Sequence, residues 1–390
     1  MKSLRHPGLL ITSLALILGV SCSQNQYSGL PAVADVEEIL SSPNGSQYRL
    51  LASFDSESAS GDIVAIGEPV KTARLVEHFI TADFCDNVSG APVPDYLPDF
   101  AGECIASILD IANEGYDSLF MAGQGVLIRS MAVRSVMAAL DTACCLAPYD
   151  NEFRSYRPAA KAIVLSSPYM DICGRFDLDT LFRSTGADIP VIYPVRSAFA
   201  RILSGARSPL NIAIIPDASV SDPAIYLSIF KDFTNLKEYA SSTCIPINPL
   251  RTGKDYFRDF IASYAASGET DRIDAVLIDD DSIDIDALQA SYRSILETQS
   301  EENLEFRKYL SRDMRFVYAL DCAAMECHSV FRARNIFTHY IAYPKASAYI
   351  TKNLPGQYVL VDYNPAYLPE GLEDMLKQSA PKSVEMYVQN

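Results

Sequence analysis

Two stretches of the chain share a pattern that places acidic side chains after an apolar run. Residues 161–167 lead through a short loop to Asp177 and Asp179, and residues 274–281 lead in the same way to Asp284 and Asp286. The matching acids are 107 residues apart, about one domain. Carboxylates at the start of a helix accept hydrogen bonds from its free N–H groups. The pattern therefore predicts two similar units, each with a buried strand, a polar loop and an acid-headed helix.

Apolar runs of strand length alternate with helical patterns along most of the chain, which is typical of α/β proteins with largely parallel sheets. The first predicted strand is Tyr48–Phe54. We expect the folded part to comprise a first α/β lobe at residues 46–205 with amino-terminal additions, and a second α/β lobe with a carboxy-terminal segment at residues 206–390.

The order of these elements resembles the aspartate/glutamate racemase superfamily over about residues 160–295. Residues 163–169 stand where that family has a strand and Cys-Asn-Thr-Ala, and residues 273–282 stand where it has Ile-Asp-x-Ile-Ile-Leu-Gly-Cys-Thr-His. The resemblance implies an α/β fold of two pseudo-symmetric three-layer lobes with mostly parallel sheets. It also implies a substrate site between the lobes.

The catalytic residues of that family are replaced in this chain. A racemase of this type needs one thiol on each face of the substrate α-carbon, to remove and return a proton. Ser166 or Ser167 occupies the first position and Asp280 the second. We therefore expect no two-cysteine racemase activity. Candidate acid or base groups are Asp280, the nearby thiol of Cys173, and Asp55, which resembles an acid near the start of the family but is equally a strand-end Asp.

The cleft implied by the resemblance would collect hydroxyls and carboxylates at the carboxyl ends of strands. These predicted ligand-binding residues are Ser166, Ser167, Tyr169, Ser219, Ser221, Asp279 and Asp281. Such groups suit a small polar or cationic molecule. A divalent metal on Asp279 and Asp281 is an alternative, but the run lacks the glycine and terminal glutamate of a calcium loop. We predict no metal site and no cofactor.

Three other features carry less specific chemistry. Cys322, Cys327, His328 and His339 are metal-capable types, but a five-residue spacing on a helix puts the two cysteines on different faces, which favours buried thiols and a surface histidine. Ser-His-Asp catalysis stays open, although no Gly-x-Ser-x-Gly elbow occurs. Residues 86–100 form a long polar excursion, either a surface insertion or a functional cover.

The amino terminus predicts export. Residues 1–21 have a basic start and an apolar run too short to span a bilayer, as in a signal peptide. Residues 18–22 resemble a lipobox, with Gly19 where leucine is usual, so Cys22 is the predicted lipidation site and residues 22–45 a tether. A soluble secreted protein is the alternative. The predicted location is the envelope of a Gram-negative-type bacterium, on the outer membrane facing the periplasm or the surface.

Composition limits the partners. The 390 residues include 32 Lys and Arg against 49 Asp and Glu, a net charge of −17. This excludes nucleic acid and leaves the lipid anchor as the membrane contact. The predicted function is an exported lipoprotein that binds a small polar metabolite between its lobes. The alternatives are a periplasmic-type binding protein of other topology, an isomerase or lyase acting on a carboxylate, and a non-catalytic scaffold.

Overall fold

The computed structural model describes residues 27–363, except 28, 151–154, 207–208, 236–238, 240, 250–254, 339, 341 and 356. The predicted signal peptide, the lipidation site Cys22 and His339 lie outside the described residues. Within the described part, the longest and most apolar helices still fall short of what a membrane span requires.

Helices and strands alternate along the described chain. The helices are α1 Ala34–Ser41, α2 Ser46–Ala52, α3 Pro69–Thr81, α4 Tyr116–Met121, α5 Gly125–Leu140, α6 Pro168–Thr185, α7 Pro194–Leu203, α8 Ala224–Thr234, α9 Tyr256–Ala266, α10 Ile285–Glu297, α11 Glu301–Phe306 and α12 Ala319–Arg334. The strands are β1 Asp62–Gly67, β2 Cys104–Leu109, β3 Ala143–Cys144, β4 Ser155–Tyr156, β5 Ala160–Leu165, β6 Val191–Ile192, β7 Asn211–Ile215, β8 Thr243–Pro246, β9 Ile273–Ile278, β10 Leu310–Tyr318, β11 Lys345–Leu354 and β12 Gln357–Asp362.

Two sheets organise the molecule. The first has the order β12-β11-β2-β1-β5-β6 and the second β10-β9-β7-β8, while β3 and β4 form a small separate pair. Neighbouring strands of the two main sheets run parallel, except the antiparallel pair β11 and β12. The predicted α/β class with mostly parallel sheets is confirmed.

Helices cover both faces of each sheet. In β1, Ile63 and Ala65 pack with α3 and α12 on one face, whereas Val64 and Ile66 pack with α1, α5 and α6 on the other. Every residue of β1 is buried, because alternate side chains enter two different cores. In the second sheet, α7 and α8 pack on one face and α9 and α10 on the other. Each lobe therefore has three layers.

The amino-terminal part differs from expectation. The predicted strand Tyr48–Phe54 is wrong, because α2 occupies Ser46–Ala52. Its apolar Tyr48 and Leu51 have the i, i+3 spacing of a helix, which a short run does not distinguish from a strand. Helix α1 lies inside the predicted tether and buries Val36 and Ile39. The folded part thus begins before residue 46, since this segment covers α5 and α6.

The internal repeat is confirmed for its strands and wrong for one pair of acids. β5 and β9 are interior strands of different sheets, and Asp284 caps α10 by accepting a hydrogen bond from the Ala287 N–H at 3.0 Å. Asp177 and Asp179 do not head a helix. Helix α6 already begins at Pro168 with Ser167 as its cap, because a serine followed by proline is a stronger start signal than the later acids.

The chain crosses between the lobes twice. It first passes from the first sheet to the second between β6 and β7. After β10, however, the chain returns through α12, and β11 adds to the first sheet beside β2. The carboxy-terminal part of the predicted second lobe therefore belongs to the first.

Candidate functional site

A cleft of about 590 Å³ lies where the carboxyl ends of β1, β2, β7 and β9 approach one another. Crevices at this end of parallel sheets are the usual ligand sites of α/β proteins. Among the described residues, five acids and two cations line it. These are Glu68, Asp110, Asp217, Asp280 and Asp281, with Lys71 and Arg74.

A buried lysine joins the two lobes at the cleft floor. Lys71 is the third residue of α3, after Pro69, which starts the helix at the end of β1. Its Nζ donates to Asp279 Oδ2 at 2.8 Å and lies 3.2 Å from Asp217 Oδ2. Since a cation at a helix amino terminus opposes the helix dipole, these two carboxylates from the second lobe are what make its burial tolerable.

Tyr226 of α8 completes this group. Its hydroxyl donates to Asp279 Oδ2 at 2.6 Å and accepts from the Asp217 N–H at 3.0 Å. Asp279 is 2% exposed, and its Oδ1 has no hydrogen-bond partner among the residues that the structure describes.

Burial and neighbouring charges shift the pKa values of Lys71, Asp217 and Asp279. Burial alone would lower the pKa of Lys71, but Asp217 and Asp279 outweigh it and the net pKa is raised, so the ammonium persists. Burial would raise the pKa of Asp217, but Lys71 and the hydrogen bonds from Ser219 bring it below its usual range. For Asp279, burial prevails over Lys71 and the pKa is raised. Two carboxylates sharing one ammonium thus differ in proton affinity.

Two further carboxyls at the cleft have raised pKa values. Burial raises the pKa of Glu68 to about 7, although its Oε1 accepts a hydrogen bond from the Tyr116 N–H at 3.1 Å. Burial also raises the pKa of Asp281 to about 6, against the opposing effect of Arg74, which forms an ion pair with it. Carboxyls that titrate near neutrality in a cleft can bind a cation or exchange a proton.

Part of the predicted ligand set lies at this cleft. Asp279 is in its floor, and Asp280, Asp281 and Ser219 line it. Ser219 donates its N–H and its hydroxyl to Asp217 Oδ1 at 2.8 and 2.5 Å. Asp280 Oδ1 accepts from the N–H of Ser282 at 2.9 Å.

The other hydroxyls lie elsewhere. Ser166 is buried and donates to the Ile66 carbonyl oxygen at 3.0 Å, with Thr72 Oγ1 also 3.0 Å away, and Ser167 caps α6. Tyr169 and Ser221 both bond to Asp117 of α4. None of these four side chains lines the cleft among the described residues, so Ser166 does not face Asp280 across it.

The candidates Asp55 and Cys173 are also remote from the cleft lining. Asp55 is exposed in the loop after α2, where it accepts from the Glu57 N–H at 3.0 Å. Cys173 lies in the middle of α6 within the core, and burial raises the pKa of its thiol to about 12. A thiol in this state is a poor nucleophile.

Sequence reasoning missed the residues that the first lobe, the loop after β7 and α8 contribute. These are Glu68, Lys71, Arg74, Asp110, Asp217 and Tyr226. One signal was present, because Pro69 follows β1 as Pro168 follows β5, which marks two strand ends that start helices at the same edge of one sheet. Which polar side chain there meets the second lobe depends on how the lobes pack.

Several solved racemase structures are similar to this chain, at low identity and with TM-scores below 0.5. Glutamate racemase from Francisella tularensis in complex with D-glutamate has a TM-score of 0.47 and 11% identity, over 82% of this chain and 94% of that chain. Glutamate racemase from Bacillus anthracis has 0.45 and 13%, over 79% and 99%, and a putative Asp/Glu racemase from Yersinia pestis has 0.35 and 11%, over 69% and 98%. No family model and no curated protein matches.

Proposed function

We propose that the cleft binds a small polar molecule through a cationic group, such as an amine, and that the protein does not carry out two-thiol racemisation. The observation that carries this proposal is the excess of carboxyl groups over cations in the cleft. Lys71 and Arg74 are already engaged by Asp217, Asp279 and Asp281. An anionic ligand would meet little free positive charge, whereas an ammonium would be attracted.

The absence of suitable thiols supports the second part. None of the described cysteines lines the cleft. The α-proton of an amino acid is weakly acidic, and its removal and return on opposite faces needs two matched bases.

Thermal-shift titration with primary amines, diamines and both enantiomers of several amino acids tests the binding. We expect an amine-bearing compound to raise the melting temperature, as a ligand that binds only the folded state does. Glu68→Gln should reduce the shift, while Glu297→Gln, an exposed acid at the end of α10, should leave it unchanged. A response to carboxylates but not to amines would refute the proposal.

The proposed binding should depend on pH. Glu68 ionises above about pH 7, so an amine that stays protonated should bind more tightly at pH 8 than at pH 6, by up to about tenfold per pH unit below 7 if Glu68 must be ionised. Calorimetric titration across this range measures it. A profile that is flat in the original chain and in Glu68→Gln would show that Glu68 does not contact the ligand.

A second candidate is acid–base catalysis on a carboxylate substrate, as in a lyase or isomerase. The pKa of Glu68 near 7 favours it, because a proton-transfer group works best near the ambient pH. Exchange of substrate α-protons in D₂O that disappears in Glu68→Gln and in Asp280→Asn would support this function. If no compound that binds shows α-proton exchange, catalysis of this kind is refuted and binding is the remaining function.

We also propose that the protein is exported and anchored through a lipid on Cys22. The lipobox-like residues 18–22 support this. Mass spectrometry of the membrane fraction should find a lipid-modified Cys22, and Cys22→Ser should release the protein. Unmodified protein cleaved at another position would favour the soluble alternative.

A further inference from the structure

Three metal-capable side chains that do not line the cleft come together where the excursion between α3 and β2 meets α12. They are Cys85 and Asp99, from the two ends of that excursion, and His328 from the middle of α12. One donor atom from each lies within 4.8 Å of the other two. The residues are 8%, 2% and 3% exposed, so the sequence expectation of a surface His328 is wrong.

We propose that Cys85, Asp99 and His328 bind one divalent ion of the zinc class. A thiolate, an imidazole nitrogen and a carboxylate oxygen are the donor types that zinc prefers, and three protein donors leave the fourth tetrahedral position for a water. The Zn–S and Zn–N bonds are about 2.3 and 2.0 Å, so side-chain movements of about an ångström would bring the donors to bonding distance.

Charge supports this assignment. Zinc binding would deprotonate Cys85, and the resulting thiolate and the Asp99 carboxylate would together carry two negative charges that are costly to bury without compensation. A divalent cation neutralises both.

The surrounding contacts preorganise the donors. Asp99 Oδ1 accepts the Cys85 N–H at 3.0 Å, and Oδ2 accepts the Phe84 N–H at 2.9 Å. The ring of His328 packs against Phe100 and Phe337, with centroids 6.5 and 5.1 Å away. These contacts orient the carboxylate and the imidazole before any ion arrives.

An ion bound at this position would also stabilise the fold locally. The excursion is otherwise tied mainly by carboxylates that accept its own backbone N–H groups, such as Asp83 with Asp95 and Tyr96. One ion would fasten both ends of the excursion to α12. The same residue types can form a Cys-His-Asp nucleophile, but a thiol this buried has little access to a substrate.

Metal analysis of the full chain tests the proposal. Protein purified without chelator should hold close to one equivalent of Zn²⁺. Removal by dialysis against a strong chelator should lower the melting temperature by several degrees, and added Zn²⁺ should restore it. Less than a tenth of an equivalent after equilibration with Zn²⁺, and an unchanged melting temperature, would overturn the proposal.

Cobalt identifies the site. Co²⁺ added to the metal-free protein should produce the near-ultraviolet charge-transfer band of a thiolate ligand, which a site made of carboxylates alone cannot give. Cys85→Ser should abolish the band, and the matched control Cys322→Ser, a buried cysteine of the same α12, should keep it. A band that survives in Cys85→Ser would place the thiolate elsewhere. Because the dialysis test uses the unaltered chain, a variant that fails to fold does not prevent a decision.

Discussion

At the scale of single residues, Lys71 is the side chain on which the cleft depends. It is buried with two carboxylates, one at the end of β7 and one at the end of β9. In water such a pair contributes little, but a buried partner left alone retains the full cost of its desolvation. Removing one member of this buried group should therefore cost more free energy than the intact ion pairs contribute to stability.

Replacing Lys71 with methionine should lower the free energy of unfolding by about 3–5 kcal/mol at pH 8, because Asp217 and Asp279 lose their buried cation. The loss should be smaller at pH 5, where the carboxyls can take up protons instead. Urea unfolding at both pH values measures it. Lys308→Met, which removes an exposed ion pair with Glu305, is the control and should cost less than about 1 kcal/mol. A loss of that small size for Lys71→Met would show that the ion pairs do not hold the lobes together.

At the scale of elements, α6 shows how an early start signal changes the role of later acids. Because Ser167 and Pro168 begin the helix, Asp177 falls in its interior and faces α5 and α1. There it accepts from Arg129 Nε at 2.6 Å and from the Val33 N–H at 3.0 Å. Asp179, two residues on, has a side chain that is 37% exposed and reaches Arg175 at 3.5 Å.

Asp177→Asn and Asp179→Asn should therefore differ, although the sequence pattern treats the two acids alike. We expect Asp177→Asn to cost about 3–5 kcal/mol, because Arg129 stays buried without its counter-charge. Asp179→Asn should cost under about 1 kcal/mol. Chemical denaturation of the two variants gives the comparison. Equal losses would contradict the tertiary role assigned to Asp177.

At the scale of the whole molecule, the lobes share both chain and core. One apolar cluster contains Ile66 and Ile163 of the first sheet together with Ile214 and Leu277 of the second. The chain also returns from β10 to the first sheet through α12 and β11. The first lobe is therefore not a contiguous segment, and one face of each sheet packs into an apolar core that the two lobes share.

The two lobes should accordingly unfold in one transition. Far-ultraviolet circular dichroism and tyrosine fluorescence, usable because the chain has no tryptophan, should give coincident curves in urea. A chain that ends before β11 should fail to give a folded monomer, since β2 would lose β11, one of its two neighbouring strands. Two separated transitions would show that the lobes are energetically independent.

The sequence by itself determined the α/β class, the two similar strands β5 and β9, and the cap that Asp284 provides for α10. It also indicated that Asp279, Asp280, Asp281 and Ser219 follow the carboxyl ends of strands. These features follow from local patterns, because burial on two faces requires continuous apolar strands and helix starts require particular side chains.

Only the tertiary structure decided which side chains meet. Lys71 and Asp279 are 208 residues apart in sequence and 2.8 Å apart in space, and no local pattern relates them. The same holds for His328 beside Cys85 and Asp99. Such pairs depend on how two sheets pack and where the chain crosses between them, and that is set by the sum of many core contacts rather than by any one motif.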